Sequence, residues 1–212
     1  GDHSHSTSQP SITNETHMIT NVLLNGVGGQ GTITASQALA QACLLQDWQI
    51  KKSEIHGMSQ RGGSVESHLR FSPDQPIFSP TITEGEVDVL LGFELLEALR
   101  ALPQVRPGGT VVVDPRRIVP MTVTLGGSVY PDDALDRLQN SGRRVLVVPA
   151  FDTACDLGEP RAANIVLLGA ACPALGIEPA IVQEAVRLTV KPKSLAVNLS
   201  ALQRGVDLAA SA

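Results

Sequence analysis

The sequence predicts a three-layer α/β domain with a largely parallel sheet, in which antiparallel pairs are allowed, and with extra helices towards its carboxyl-terminal end. The main observation is that short apolar runs alternate with helical patterns between residues 19 and 148. A glycine-rich stretch, residues 26–31, separates the first apolar run from the first helical pattern, and only helical patterns follow residue 148. This order of strand, glycine turn and helix predicts a Rossmann-like fold.

The individual elements follow from the spacing of the apolar residues. Strands are predicted at residues 19–25, 49–55, 64–71, 87–91, 110–113 and 145–148. Helices are predicted at residues 32–46, 93–102, 131–140, 160–171 and 179–188, and a last helix carries the stripe Leu195, Leu199, Leu202 and Val206. In the third strand Glu66, His68 and Arg70 lie on the face opposite the apolar residues. We expect that face to be solvated or to meet a partner, and not to be catalytic.

Composition limits the class of protein. The 16 Lys and Arg against 21 Asp and Glu give a net charge of −5, and four Phe, one Trp and one Tyr are too few for a base-stacking platform, so no nucleic-acid binding is expected. The sequence shows no apolar run long enough for a bilayer and no signal peptide, so we expect a cytoplasmic protein that does not bind membranes. Residues 1–17 are predicted to be a flexible tail or a vector-derived remnant, and residues 18–212 a single domain.

Residues 26–31 read Gly-Val-Gly-Gly-Gln-Gly and fit the G-x-G-x-x-G pattern of dinucleotide-binding turns. Glycine lets such a turn adopt positive φ, and the start of the following helix adds partial positive charge, so an anion is the expected ligand. NAD binding would call for an acidic residue about 20 positions further on. The sequence has Lys51 and Lys52 there, with Asp47 before them and Glu54 beyond. Dinucleotide binding and simple close packing of helix on sheet both remain open.

A second candidate is the connection between the second and third strands. A hairpin needs about 2 to 5 connecting residues, whereas residues 56–63 place His, Met, Ser, Gln and Arg between glycines. Arg61 would suit an anionic group, and His56 could form a hydrogen bond. The segment is either a binding element or an ordinary surface loop.

Several motifs of self-sufficient enzymes are missing from the sequence. It has no G-x-x-x-x-G-K-[ST] phosphate loop, no G-x-S-x-G elbow, no H-E-x-x-H and no paired C-x-x-C. Its three cysteines lie too far apart for a disulfide framework or a run of metal or iron–sulfur ligands. A ligand-binding turn without a catalytic set suggests one subunit of a larger assembly.

The two glycine-containing segments together resemble the small subunit of indolepyruvate:ferredoxin oxidoreductase, a gamma-type domain of the 2-oxoacid:acceptor oxidoreductase superfamily, which includes pyruvate:ferredoxin oxidoreductase. The resemblance rests on residues 26–36, 39–40, 53–64 and 67–71, and continues through residues 88–94, 96–100, 107–110, 164, 168–170 and 198–199. It therefore covers nearly everything after the tail. The string at residues 56–64 favours the indolepyruvate branch over the pyruvate branch.

This resemblance implies oxidative decarboxylation of indolepyruvate or another aryl 2-oxoacid to its acyl-CoA, with ferredoxin as the electron acceptor. It also implies that thiamine diphosphate, magnesium and iron–sulfur clusters are held by a large partner subunit, that CoA is a co-substrate, and that this chain is inactive alone. The sequence agrees with that division, because it contains no G-D-G motif followed by the Asn pair of a thiamine diphosphate site.

On this interpretation the chain has no catalytic residue of its own, binds no metal, and helps to close its partner's active site. The residues expected to contact a ligand or that active site are Gly26, Gly28, Gly29, Gln30, Gly31, Glu54, His56, Gly57, Met58, Ser59, Gln60, Arg61, Gly62 and Gly63. Both segments are expected at the carboxyl edge of the sheet, with Arg61 as the anion contact and Gln30 or His56 as a hydrogen-bonding group. Asn164 is a further candidate, although a buried amide that ties down a loop explains it equally well.

Two other functions remain open from the sequence. The chain could be a stand-alone oxidoreductase that binds NADP or a flavin, or it could be a non-catalytic assembly or regulatory subunit. An isolated chain could also form a homodimer through the surface meant for its partner.

Overall fold

The computed structural model describes residues 19–56, 63–119 and 129–212. The strands in these residues are β1 (Thr20–Val27), β2 (Gln49–His56), β3 (Ser64–Ser72), β4 (Val87–Gly92), β5 (Val105–Val113) and β6 (Arg144–Val147). The helices are α1 (Thr32–Leu44), α2 (Leu95–Ala101), α3 (Ala134–Gln139), α4 (Ala150–Asp156), α5 (Ala163–Leu175), α6 (Pro179–Thr189) and α7 (Leu195–Ala210), with short 3₁₀ turns at Leu102–Gln104, Pro160–Ala162 and Pro192–Ser194.

The six strands form one mixed sheet in the order β2-β3-β1-β4-β5-β6. The pairs β1–β4, β4–β5 and β5–β6 are parallel, whereas β3 runs antiparallel to both β1 and β2. Within the described residues β3 is therefore the only reversed strand. The predicted sheet, largely parallel with room for antiparallel pairs, is confirmed.

Helices cover both faces of the sheet. Along β1, Val22 and Leu24 pack into the cluster formed with α1, α5, α6 and α7, while Leu23 packs into the cluster formed with α2 and α3. A strand buried on both faces is typical of the centre of an α/β sheet, which explains the unbroken apolar run there. The predicted three-layer architecture with added carboxyl-terminal helices is confirmed.

Helices α5 and α7 cross with their backbones in close contact. A Cβ atom placed on Gly205 would overlap the carbonyl oxygen of Val166, and one placed on Gly169 would overlap the carbonyl oxygen of Leu202. Both positions are buried within helices, where glycine is otherwise unfavourable, and the missing side chain lets the two helix backbones approach closely.

The structure differs from the sequence expectations in three elements. Helix α4 was not predicted, because seven residues are too few to show a periodic apolar stripe. Strand β5 begins at Val105 and runs through Pro107, Gly108 and Gly109, which interrupt the apolar pattern; the prediction began it at residue 110. Helix α5 continues past residue 171 through Pro173 and ends at Leu175, with Gly176, whose φ is 66°, as its C-cap.

The expectation that one face of β3 is solvated or meets a partner is wrong for His68. This side chain is 4% exposed, and the backbone N–H of Ile82 donates to its Nδ1 at 3.4 Å. Arg70 on the same face donates to the side-chain oxygen of Asn21 and to the carbonyl oxygen of Ser79. The connection between β3 and β4 therefore covers this face. Strand alternation predicts which residues share a face, but not what covers that face.

Candidate functional site

The glycine turn lies at the carboxyl edge of the sheet, beside the point where the chain connections diverge. Gly26 and Val27 are the last residues of β1, and residues 28–31 connect β1 to α1. From β1 the chain passes through α1 to β2 on one side, and from β4 it passes through α2 to β5 on the other side. In open α/β sheets such a switch point forms the crevice in which ligands bind. The fold therefore puts the first predicted motif at the preferred location for a ligand.

Two glycines of the turn have backbone conformations that other residues rarely adopt. Gly29 has a φ of 93° and Gly31 a φ of 81°. A Cβ atom on Gly29 would meet nothing within 4 Å, whereas a Cβ atom on Gly31 would lie 2.5 Å from Nδ2 of Asn164. Gly29 therefore borders open space, and Gly31 is packed against the protein.

Two amide side chains hold the turn in place. Oε1 of Gln30 accepts from the N–H of Val27 at 2.8 Å, and its Nε2 donates to the carbonyl oxygen of Phe93 at 2.8 Å, which ties the end of β1 to the exit of β4. Nδ2 of Asn164, a residue 4% exposed, donates to the carbonyl oxygen of Gly31 at 3.0 Å, and its Oδ1 accepts from Ile165. The geometry of Asn164 favours the buried amide that ties down a loop.

The start of α1 has unused hydrogen-bonding capacity. Its N-cap residue, Gly31, offers no side-chain cap, so first-turn N–H groups remain available to a ligand. Thr32 is only 3% exposed, and its buried Oγ1 has no hydrogen-bond partner among the described residues. A buried hydroxyl without a partner is unfavourable, and a bound ligand would remove that penalty.

A cleft of about 730 Å³, here cleft A, opens on this side of the turn and is lined by Gly29, Thr32, His56 and Gly63 among others. The N–H of Gly28 donates to the carbonyl oxygen of Gly63 at 3.0 Å, which fixes the start of β3 against the turn. The two predicted segments thus meet through the residues His56 and Gly63. Glu54 is not among the residues lining cleft A and instead accepts from Nζ of Lys52 at 2.7 Å. The candidates Gly57, Met58, Ser59, Gln60, Arg61 and Gly62 lie outside the described residues.

A second cleft of about 290 Å³, here cleft B, lies on the other side of the turn and contains groups that the sequence analysis missed. Asp114 follows β5 and is 4% exposed; burial raises its pKa to about 6, against the opposing effect of hydrogen bonds from the N–H groups of Arg116 and Phe151. The guanidinium carbon of Arg116 lies 3.6 Å from the centre of the Phe151 ring. Charged residues directly after a buried parallel strand were the sequence signal that could have indicated this cleft.

A third cleft of about 480 Å³, here cleft C, borders Gly29 and Gly31 from the side of α6 and α7. Lys191, Lys193 and Asn198 are part of its lining. Gly29 is common to all three clefts. The glycine turn is therefore the central feature of the candidate site.

The geometry does not reproduce a dinucleotide site. Strand β3 lies between β1 and β2, so the end of β2 is two strand spacings, roughly 10 Å, from the end of β1. In the dinucleotide fold those two strands are neighbours, and an acidic residue after the second one binds the ribose. Here Glu54 is engaged with Lys52, and within the described residues no equivalent carboxylate adjoins the turn from β2.

The described part of the chain offers neither a metal-binding cluster nor a membrane-spanning helix. No group of three or more His, Cys, Asp or Glu side chains there could hold a metal ion. None of its helices is both long and apolar enough to cross a membrane.

The sequence matches the family described as pyruvate ferredoxin/flavodoxin oxidoreductase over residues 21–208. It is 35% identical over 194 residues to the indolepyruvate oxidoreductase subunit IorB of Thermococcus kodakarensis, covering 89% of this chain and 95% of that subunit.

Solved structures share the fold. The gamma subunit of a keto/oxoacid ferredoxin oxidoreductase from Geobacter sulfurreducens superposes with a TM-score of 0.69 at 24% identity, covering 91% of this chain and 99% of that chain. A 2-oxoglutarate:ferredoxin oxidoreductase from Magnetococcus marinus, solved with 2-oxoglutarate, coenzyme A and succinyl-CoA, gives a TM-score of 0.73 at 22% identity, covering 92% of this chain but 31% of that longer one. Since the family match spans nearly the whole described domain, the chain belongs to the pyruvate ferredoxin/flavodoxin oxidoreductase family.

Proposed function

We propose that this chain is the small subunit of a thiamine-diphosphate-dependent 2-oxoacid:ferredoxin oxidoreductase, and that the complex converts indolepyruvate or another aryl 2-oxoacid to its acyl-CoA. The similarity to an IorB subunit over 95% of that subunit's length supports the indolepyruvate branch. Two observations together carry the proposal. The start of α1 offers free N–H groups to an anion, and the described residues contain no group of side chains that could hold a metal ion of the cofactors.

The described residues of this chain do not fit the cofactors that such a reaction needs. Burial raises the pKa of the Cys43 and Cys172 thiols to about 12, which disfavours the thiolate form that ligates iron. Cys155 is the remaining cysteine and is exposed. A thiamine diphosphate site needs a magnesium ion, and the described residues offer no cluster of ligands for it. In the proposed complex a larger partner subunit would hold these groups.

The contribution of this chain is to bind and orient a substrate at the partner's active site. The amides at the start of α1 and the Thr32 hydroxyl would donate hydrogen bonds to phosphate oxygens. In the proposed reaction CoA supplies the phosphate. Because Gln30 and Asn164 already hold the turn, these donors are fixed before the ligand arrives. Fixed donors bind more tightly than mobile ones, since less conformational freedom is lost on binding.

The test is reconstitution. The chain is co-expressed with a thiamine-dependent large subunit, and ferredoxin reduction is measured with indolepyruvate and CoA. We expect activity that depends on both subunits. Activity of the chain alone, or a complex in which removing this chain leaves the rate unchanged, would contradict the proposal; the second result would favour an assembly subunit.

Variants of the second segment test its role in the same assay. The double variant His56→Ala/Arg61→Ala is expected to lower the rate while the two subunits still co-purify. Unchanged kinetics with normal assembly would remove the segment from the mechanism. A visible flavin spectrum or a fluorescence response to NADPH from the purified chain would instead favour the stand-alone oxidoreductase.

A further inference from the structure

We propose that Arg116 binds an anionic oxygen group, a phosphate or a carboxylate, from a ligand that occupies cleft B beside the glycine turn. The proposal rests on the proposed function only for the source of that group, which would be a phosphate of CoA or the carboxylate of the 2-oxoacid.

The first support is that the Arg116 guanidinium is held over an aromatic ring while its N–H donors have no partner among the described residues. It lies over the Phe151 ring at 3.6 Å and is half-buried. Its charge attracts the nearby Asp114 carboxylate, but none of its side-chain N–H groups forms a hydrogen bond or salt bridge with another described residue. Arg100 and Arg106, by contrast, pair with Glu97 and Asp88. An arginine stacked on a ring keeps its N–H donors free at the edge of the guanidinium plane, where they suit the two oxygens of a phosphate or carboxylate.

The second support is that Arg116 and its ring are fixed by the same side chain. Oδ1 of Asp114 accepts from the N–H of Arg116 at 3.0 Å, and Oδ2 accepts from the N–H of Phe151 at 2.9 Å. The carbonyl oxygen of Arg116 accepts from Leu95 at the start of α2. The backbone beneath the guanidinium is thus held at several points, so that little order must be gained when an anion binds.

The third support is the rest of the lining of cleft B. Gly28 and Gly29 of the turn line cleft B together with Arg116 and Arg161. Asp114 is the one described carboxylate in the lining, and both of its oxygens already accept N–H groups. Glu159, which lines cleft C and not cleft B, is paired with Arg161. A ligand anion in cleft B would therefore have both Arg116 and the turn within its lining.

The test compares Arg116→Met with Arg117→Met as the matched control. Arg117 is the next residue, is exposed, and lies near Asp132 and the Tyr130 ring and outside cleft B. Inorganic pyrophosphate is titrated into the purified chain by calorimetry. We expect Arg116→Met to weaken binding about tenfold or more, as for a lost charge-assisted pair, and Arg117→Met to leave it unchanged. Arg116→Lys, which keeps the charge but not the paired donors, is expected to lie between them.

Steady-state kinetics of the assembled complex distinguish the two sources of the anionic group, CoA phosphate and 2-oxoacid carboxylate. A KM for CoA that rises about tenfold in Arg116→Met, with an unchanged KM for indolepyruvate, would assign the phosphate; the reverse pattern would assign the carboxylate. The proposal is overturned when Arg116→Met matches Arg117→Met in pyrophosphate affinity and in both KM values. If the complex has no oxidoreductase activity, the proposed function fails, and pyrophosphate binding alone then decides the proposal for Arg116. Urea denaturation of each variant confirms that it is folded.

Discussion

The contact between Gly31 and Asn164 gives the sharpest prediction about the turn. In Gly31→Ala the new methyl group would lie 2.5 Å from Nδ2 of Asn164 and 3.1 Å from its Cγ, so the amide must move and lose its 3.0 Å hydrogen bond to the Gly31 carbonyl oxygen. Gly29→Ala provides the matched change, because its φ is similarly positive but its Cβ meets nothing within 4 Å.

The magnitude follows from two parts. An alanine with left-handed backbone angles costs about 1–2 kcal/mol, and this applies to both variants. Loss of the Asn164 hydrogen bond adds about 0.5–1.5 kcal/mol in Gly31→Ala only. We therefore expect Gly31→Ala to lower the free energy of unfolding by about 1.5–3.5 kcal/mol, and Gly29→Ala by about 1–2 kcal/mol.

The assay is urea denaturation followed by the fluorescence of Trp48, the single tryptophan, whose ring stacks on Phe71 at 5.6 Å. A double-mutant cycle with Asn164→Ala isolates the contact, because the Gly31→Ala penalty should fall to that of Gly29→Ala once the amide is removed. Equal penalties for the two glycine variants, or a Gly31→Ala penalty that Asn164→Ala does not reduce, would refute the reasoning.

Three further outcomes are expected. Gly205→Ala forces α5 and α7 apart and should destabilise the chain by about 1–3 kcal/mol in the same denaturation assay, despite the better helix propensity of alanine. The pKa of Asp114 is raised from 3.8 to about 6 in the folded chain, so its stabilising contribution is full below about pH 4 and is lost as pH rises through about 6. When pH is lowered from 7 to 5, the free energy of unfolding of the wild type should therefore increase by about 1 kcal/mol relative to that of Asp114→Asn. In the folded chain a thiol reagent should modify Cys155, while the buried thiols of Cys43 and Cys172 should react only after unfolding.

Each of these outcomes has a control. Ser200→Ala introduces alanine on the exposed side of α7 and should leave stability within about 0.5 kcal/mol; an equal loss in Gly205→Ala and Ser200→Ala would show that the helix crossing does not explain it. A pH profile that is the same for wild type and Asp114→Asn would contradict the assigned shift. Modification of two or more cysteines under native conditions, counted by mass spectrometry, would contradict the burial of Cys43 or Cys172.

The sequence was sufficient for the architecture because burial leaves a pattern in it. Val22, Leu23 and Leu24 form an unbroken apolar run, since β1 is covered on both faces, and the glycines that follow must form a turn. The reversed direction of β3 leaves no comparable pattern, because strand alternation is the same in parallel and antiparallel pairs. The sequence therefore permits a mixed sheet without specifying which strand is reversed.

The site was predicted less completely than the fold. The glycine turn was found because its residue types are constrained by backbone conformation. Arg116 and Phe151 are 35 positions apart, and only the pairing of β5 with β6 and the Asp114 hydrogen bonds bring them together. The engagement of Gln30 with Phe93, 63 positions away, is likewise invisible in the sequence, so Gln30 was expected to be a free hydrogen-bonding group for a ligand.

Because Gly29 borders clefts A, B and C, these three recesses are not independent. Two small anions that each reach its backbone would exclude one another, whereas one elongated molecule could extend from one recess into the next. Such a molecule would gain affinity from each recess without the entropic penalty of a second separate association. A ligand long enough to extend from one cleft into the next would therefore pass Gly29, whereas short fragments that each contact Gly29 would compete with each other.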